Sequence, residues 1–108
     1  MPHYLIQVAY NSRGVAALVN EPQDRIEKVR PAIEGFGGSI ESAYYAFGDH
    51  DIVLIVEMPD NTKAAAMALA VGAGGACSAY TTTVLLTPDE AMQAMSAASE
   101  SVYRPATA

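Results

Sequence analysis

"FGDHDIVLIVEMPD", residues 47–60, joins four turn-forming residues to five consecutive apolar ones and then stops at a proline. Gly48, Asp49, His50 and Asp51 have hairpin-loop chemistry, with Gly48 expected to supply a positive φ and Asp51 to accept backbone N–H bonds. Residues 52–56, "IVLIV", form a strand with no polar alternation, so both of its faces call for burial. Pro59 ends that strand, because proline has no N–H to give a ladder.

Upstream, residues 39–47 read as the partner strand of the hairpin. Its adjacent aromatics Tyr44 and Tyr45 must face opposite ways, one toward a helix layer and one toward an outer surface. "GFGGS", residues 35–39, supplies glycines suited to a helix end. Residues 15–36 carry helical spacing, with Ile26, Val29, Ile33 and Phe36 on one stripe, Pro22 fit to open a turn, and Pro31 expected to bend or divide the helix. Residues 3–10 alternate, placing Tyr4, Ile6, Val8 and Tyr10 on one face and Leu5 and Ala9 on the other.

Downstream, Asp60 can cap a helix over residues 62–71 whose stripe is Ala64, Met67, Ala68 and Val71, with "GAGG" closing it. Residues 79–86 read as a fourth strand, helped by three consecutive threonines. "TPDE", residues 87–90, has a Thr87 cap, Pro88 at the first helical position and Glu90 to complete a capping box. The helix it opens carries Met92, Met95 and Val102, a spacing that predicts core or interface packing. One domain over residues 1–100 and a loose tail over 101–108 account for the chain, whose length suits a single core.

The order β-α-β-β-α-β plus a C-terminal helix predicts an α+β, ferredoxin-like fold. Right-handed crossovers set strands one and three at the centre of a four-stranded antiparallel sheet of order 4-1-3-2. Helices then cover one face only. Because strand three is apolar on both faces, a homodimer or higher oligomer is expected, with the chain its own partner through the bare sheet face.

The same segments, "GFGGSIESAYYAFG", "FGDHDIVLIVEMPD" and "AYTTTVLLTPDE", resemble the GYD-domain proteins, small bacterial proteins of uncharacterised function. The resemblance runs over nearly the whole chain. It matches Gly48 and Asp51 to the first and last residues of the family's eponymous triplet, with His50 where tyrosine is usual. It implies a ferredoxin-like, dimeric α/β-barrel fold, which small cofactor-free monooxygenases and isomerases also use. The hairpin pattern is similar, too, to the ligand-binding domain of leucine-responsive regulators. A shared fold by itself selects none of these activities.

Twelve acidic and six basic residues give a net charge of −6. No clustered Lys/Arg face can neutralise phosphates, so no nucleic acid is expected, and no basic run draws the chain to an anionic membrane. The uncharged stretch "AAAMALAVGAGGACSAY" is too rich in Ala and Gly to span a bilayer. No signal-type segment opens the chain, and the single cysteine, Cys77, suits a reducing cytoplasm, which is the expected location.

The predicted topology brings the end of strand one, the hairpin and the start of strand four to one end of the sheet. Tyr10, Asn11, Arg13, Phe47, Asp49, His50, Asp51, Cys77 and Tyr80 gather there, and His3 lies at the other end. Ligand-binding candidates are Tyr10, Arg25, Tyr45, Gly48, His50, Asp51 and Tyr80. His50 is the one most able to change charge near neutral pH, and Arg25 is an anion partner near a helix start. Two histidines and one cysteine lack metal-motif spacing, and "GAGGAC" follows a helix instead of opening one, so neither a metal nor a cofactor is expected. A small-molecule-binding or regulatory module is the leading expectation. A cofactor-independent enzyme, its cavity orienting a reactive substrate, and a purely structural assembly protein are the alternatives.

Overall fold

A computed structural model describes residues 1–106. The elements run β1 (His3–Tyr10), α1 (Ser12–Asn20), α2 (Arg25–Gly35), β2 (Ser39–Tyr45), β3 (Ile52–Glu57), α3 (Asn61–Ala73), β4 (Cys77–Leu85) and α4 (Pro88–Ser99). The sheet is antiparallel throughout, in the order β2-β3-β1-β4. That is the predicted order, with the two crossovers placing β1 and β3 side by side.

Register follows hydrophobicity. Ile6 lies opposite Leu54 on β3 and Thr82 on β4, and Tyr4 opposite Val56 and Val84, so all of these point toward the helices. The core forms on that side from Tyr4, Ile6 and Val8 of β1, Ile52, Leu54 and Val56 of β3, Ile26 and Ile33 of α2, and Ala64 and Met67 of α3. The opposite face carries Leu5, Gln7, Val53, Ile55 and Tyr44, covered by no helix, with Tyr44 71% exposed.

The helix over residues 15–36 is two helices, and the break is not at Pro31. It falls after Asn20, where Pro22 precedes Asp24, and the Asp24 carboxylate restarts the chain by accepting the Ile26 and Glu27 amides at 3.1 and 3.3 Å. Pro31 stays inside α2, on its exposed side, where water can serve the carbonyl that lost its donor. At the other end Gly37, at φ 89°, lets the Gly38 amide reach back 3.0 Å to the Ile33 carbonyl, a glycine cap of the expected kind. Asp60 and the Thr87–Glu90 capping box form as predicted.

Three further expectations change. β2 stops at Tyr45: one further rung, the Ala46 amide donating to the Asp51 carbonyl, closes the hairpin, and Phe47 beyond it is fully exposed at the tip. α4 buries none of its residues: Met92 and Met95 are 63% and 64% exposed and do not join the core. The radius of gyration is 17.4 Å, where a compact chain of this length has roughly 13 Å. Residues 101–106 carry no helix or strand, and residues 107 and 108 of the predicted tail lie outside the described residues.

Gly48 is the third. Its φ is not positive, and a Cβ there would meet nothing within 4 Å. Gly48→Ala is therefore expected to leave the domain as stable or to stabilise it by up to about 1 kcal/mol, by narrowing the unfolded ensemble. Urea unfolding of the pair checks this, and a clear loss of stability would show that the loop needs glycine after all.

Candidate functional site

The helix layer does not close on the sheet. Between them, toward the end where β1 finishes and β4 starts, lies a cavity of about 480 Å³. Its floor is Ile6, Val8 and Tyr10 with Ile52 and Leu54; α2 supplies Ile26 and Val29, and α3 supplies Met67 and Val71. Small residues create the space. Gly14 brings α1 so close to the α3–β4 loop that a Cβ would overlap the Ala76 carbonyl oxygen, and α3 contributes Ala70 where a larger side chain would fill the gap.

Tyr10 enters the cavity from the last residue of β1, and Asp51 holds it there. β1 outruns its pairing with β3, which ends at Val8 opposite Ile52. The Asp51 carboxylate takes over the next rung by accepting the Tyr10 amide at 2.8 Å, while the Asp51 amide donates to the Val8 carbonyl at 2.7 Å. An acid at this hairpin position thus extends a ladder that backbone alone could not. A shift in register between Ala9 and Tyr10 then sets Tyr10 opposite Cys77 on β4.

Tyr45 fixes the other wall. Its hydroxyl donates to Asp24 at 2.8 Å, tying the start of α2 to β2. That bond, ahead of the two backbone amides, holds the Asp24 carboxyl below the usual aspartate range, against some desolvation. Arg25 and Lys28 follow Asp24 on the same helix and line the cavity, the only charged residues to do so among the described residues. Burial raises the Tyr10 and Cys77 pKa values, with the nearby Arg25 charge opposing it in both. Burial, with Cys77 adding to it, pushes the Tyr80 phenol up to about 12. At neutral pH the cavity therefore offers two phenols and a thiol, all protonated.

Tyr80 makes alkaline stability a test of its burial. Its folded pKa lies above the unfolded value, so its contribution is whole below about pH 10 and is lost as pH rises toward 12, where only the unfolded chain ionises. The stability of the wild type relative to Tyr80→Phe should be flat up to pH 10 and then fall through that window. Parallel curves to pH 12 would mean that the phenol is solvated.

Of the predicted ligand-binding residues, Tyr10, Arg25 and Tyr80 line the cavity, whereas Asp51 and Tyr45 stand behind its walls as supports. Gly48 and His50 sit in the hairpin loop and are not among the lining residues. The cavity also takes in Lys28, which lies three residues after Arg25 and so on the same helix face, a spacing legible in the sequence. His3 is at the far end of the sheet, its ring nitrogens 2.9 Å from Glu41 and 3.4 Å from Glu57. Among the described residues, no three His, Cys, Asp or Glu side chains are grouped to hold a metal ion, and no helix is long and apolar enough to cross a membrane.

The family model of the GYD domain matches residues 4–95, and the chain belongs to that family. No significant match appears among curated proteins or among solved structures.

Proposed function

We propose that this member of the GYD-domain family binds a small organic molecule in the cavity between its helices and its sheet, and that it does so as a homo-oligomer joined through the opposite sheet face. The observation that carries the binding proposal is the cavity of about 480 Å³, which is apolar over most of its wall and has the Tyr10 and Tyr80 phenols and the Cys77 thiol on its lining. That volume is within the ordinary range for small-ligand sites. Among the described residues neither phenol hydroxyl has a protein hydrogen-bond partner, so donors stand available to a guest. Water in such a space finds few partners, and an apolar ligand gains by displacing it.

Binding is favoured over catalysis by the state of those groups. A thiol with a raised pKa is a poor nucleophile, and phenols raised above 10 are donors at neutral pH, not bases. His50, the natural general base, does not line the cavity. The oligomer is supported by the uncovered ridge of Leu5, Val53, Ile55 and Tyr44. A cytoplasmic setting suits the free thiol of Cys77.

Thermal-shift screening against small organic acids and amino acids tests the binding proposal. A ligand at a hundred times its dissociation constant adds about 2.7 kcal/mol to unfolding. Val71→Phe, which places a ring in the cavity, should abolish the shift. A shift that survives Val71→Phe undiminished places the ligand elsewhere and removes the cavity from consideration.

A further inference from the structure

We infer that the cavity selects organic anions: molecules with an apolar body for the space between α2, α3 and the sheet, and a carboxylate held by Arg25 at the start of α2. This rests on the cavity being a binding site, and adds the class of ligand. The first ground is the distribution of charge. The chain has twelve acidic residues and six basic ones, yet the lining contains two of the bases, Arg25 and Lys28, and none of the acids. Chance placement in so acidic a chain favours the reverse.

The second ground is that both cations are free to act. Among the described residues the ion pairs are Arg30 with Glu27, and His3 with Glu41 and Glu57; no carboxylate lies within 4 Å of Arg25 or Lys28. The Arg25 guanidinium has one modest bond, 3.3 Å to the Gln23 side-chain oxygen. Its neighbour Asp24, the obvious partner, accepts the Tyr45 hydroxyl and two backbone amides on its Oδ1, and neither of its oxygens lies within 4 Å of the guanidinium.

The third ground is that the phenols and the thiol on the lining are also donors, while the oxygen of the other polar side chain there, Gln23, already accepts from Arg25 at 3.3 Å. Tyr10, Tyr80 and Cys77 each present a hydrogen to a guest's oxygen, and Tyr10 and Cys77 lie close enough to Arg25 to feel its charge. A guanidinium fork and an adjacent phenol are a natural pair for a carboxylate, in a site where charge-assisted bonds outweigh neutral ones. A cationic guest would meet two like charges. A neutral one would leave Arg25, an exposed residue, to water and gain nothing from its charge. An inorganic anion would leave the apolar wall unused.

The test is isothermal titration of the full chain with three acids and their carboxamides, which match in shape and differ in charge: 2-naphthoate, 3-phenylpropionate and octanoate. At least one acid should bind about tenfold more tightly than its amide, the margin of a charge-assisted over a neutral hydrogen bond. In Arg25→Gln that margin should fall to about twofold with amide affinity unchanged, Lys28→Gln should reduce it less, and added NaCl should weaken the acid alone. Arg25 makes no contact on which the fold depends, so the variant should keep the wild-type unfolding midpoint. Equal affinity of acid and amide, or a margin that persists in Arg25→Gln, overturns the anion inference and leaves the binding proposal standing. If no acid and no amide binds, and none slows alkylation of Cys77, both are overturned.

Discussion

Replacing Tyr4 with alanine is expected to lower the unfolding free energy by about 4 kcal/mol, whereas Tyr4→Phe should cost about 1 kcal/mol or less. Tyr4 is 1% exposed and sits on the helix side of β1 between Val56 of β3 and Val84 of β4, so truncation leaves a ring-sized void at the centre of the sheet. Its hydroxyl donates to the Asn61 side chain at 2.6 Å, tying β1 to the first turn of α3, but Asn61 is exposed and water can replace that bond. Urea unfolding at one fixed protomer concentration separates the two contributions, since assembly would otherwise shift the midpoint. A loss below about 2 kcal/mol for Tyr4→Ala would mean that the layers collapse onto the gap, against the rigidity of a close-packed core.

Ile55→Lys should have its large effect on assembly and a small one on the fold. Ile55 lies on the uncovered face, opposite Leu5 on β1 and Ser42 on β2, and is only half-buried in the single chain. A lysine there can reach solvent in an isolated subunit. In a symmetric interface it would be buried unpaired and repeated by the partner copy, at a cost of several kcal/mol per charge. Sedimentation velocity at micromolar concentration should show the wild type as an oligomer and Ile55→Lys as a monomer with a nearly unchanged urea midpoint. Leu69→Lys, on the exposed side of α3 at 74% exposure, serves as the control and should assemble normally. If Ile55→Lys sediments with the wild type, the sheet face is not the interface; α4, with Met92 and Met95 exposed, becomes the next place to look.

His50 and Arg25 illustrate where reasoning from the chain alone reached the site and where it stopped. Topology, which strand order and crossover handedness settle together, puts His50 near one end of the sheet, whereas Arg25 is singled out only as a cation near a helix start. Arg25 lines the cavity because helical periodicity puts it on the same face as Ile26 and Val29, which pack inward, so its side chain runs along apolar surface to the opening. His50 does not, because a loop residue has no periodicity to fix its direction. Asp51, one position later, is tied by its amide, its carbonyl and its carboxylate. A turn signal identifies such residues without saying which of them the neighbouring strand will need.

The division of α1 from α2 has a similar cause. Pro22 and Pro31 carry equal weight as helix breakers in isolation. What distinguishes them is tertiary: Asp24 has the Tyr45 hydroxyl from β2 to hold it as a cap, while Pro31 faces water and loses one backbone bond cheaply. No local pattern near residue 31 reveals that a tyrosine in a later strand decides the matter.

Alternation, apolar runs, capping residues and crossover handedness determined the strand order, the antiparallel sheet, two of the four helix starts and the existence of an uncovered face. The cavity is of another kind. Its volume is the difference between what α1, α2 and α3 could fill and what Gly14, Ala70 and Val71 do fill, its cationic lining depends on Asp24 being engaged elsewhere, and its protonated phenols depend on burial. Each is set by distances between residues far apart in the chain, and such distances exist only once the layers have packed.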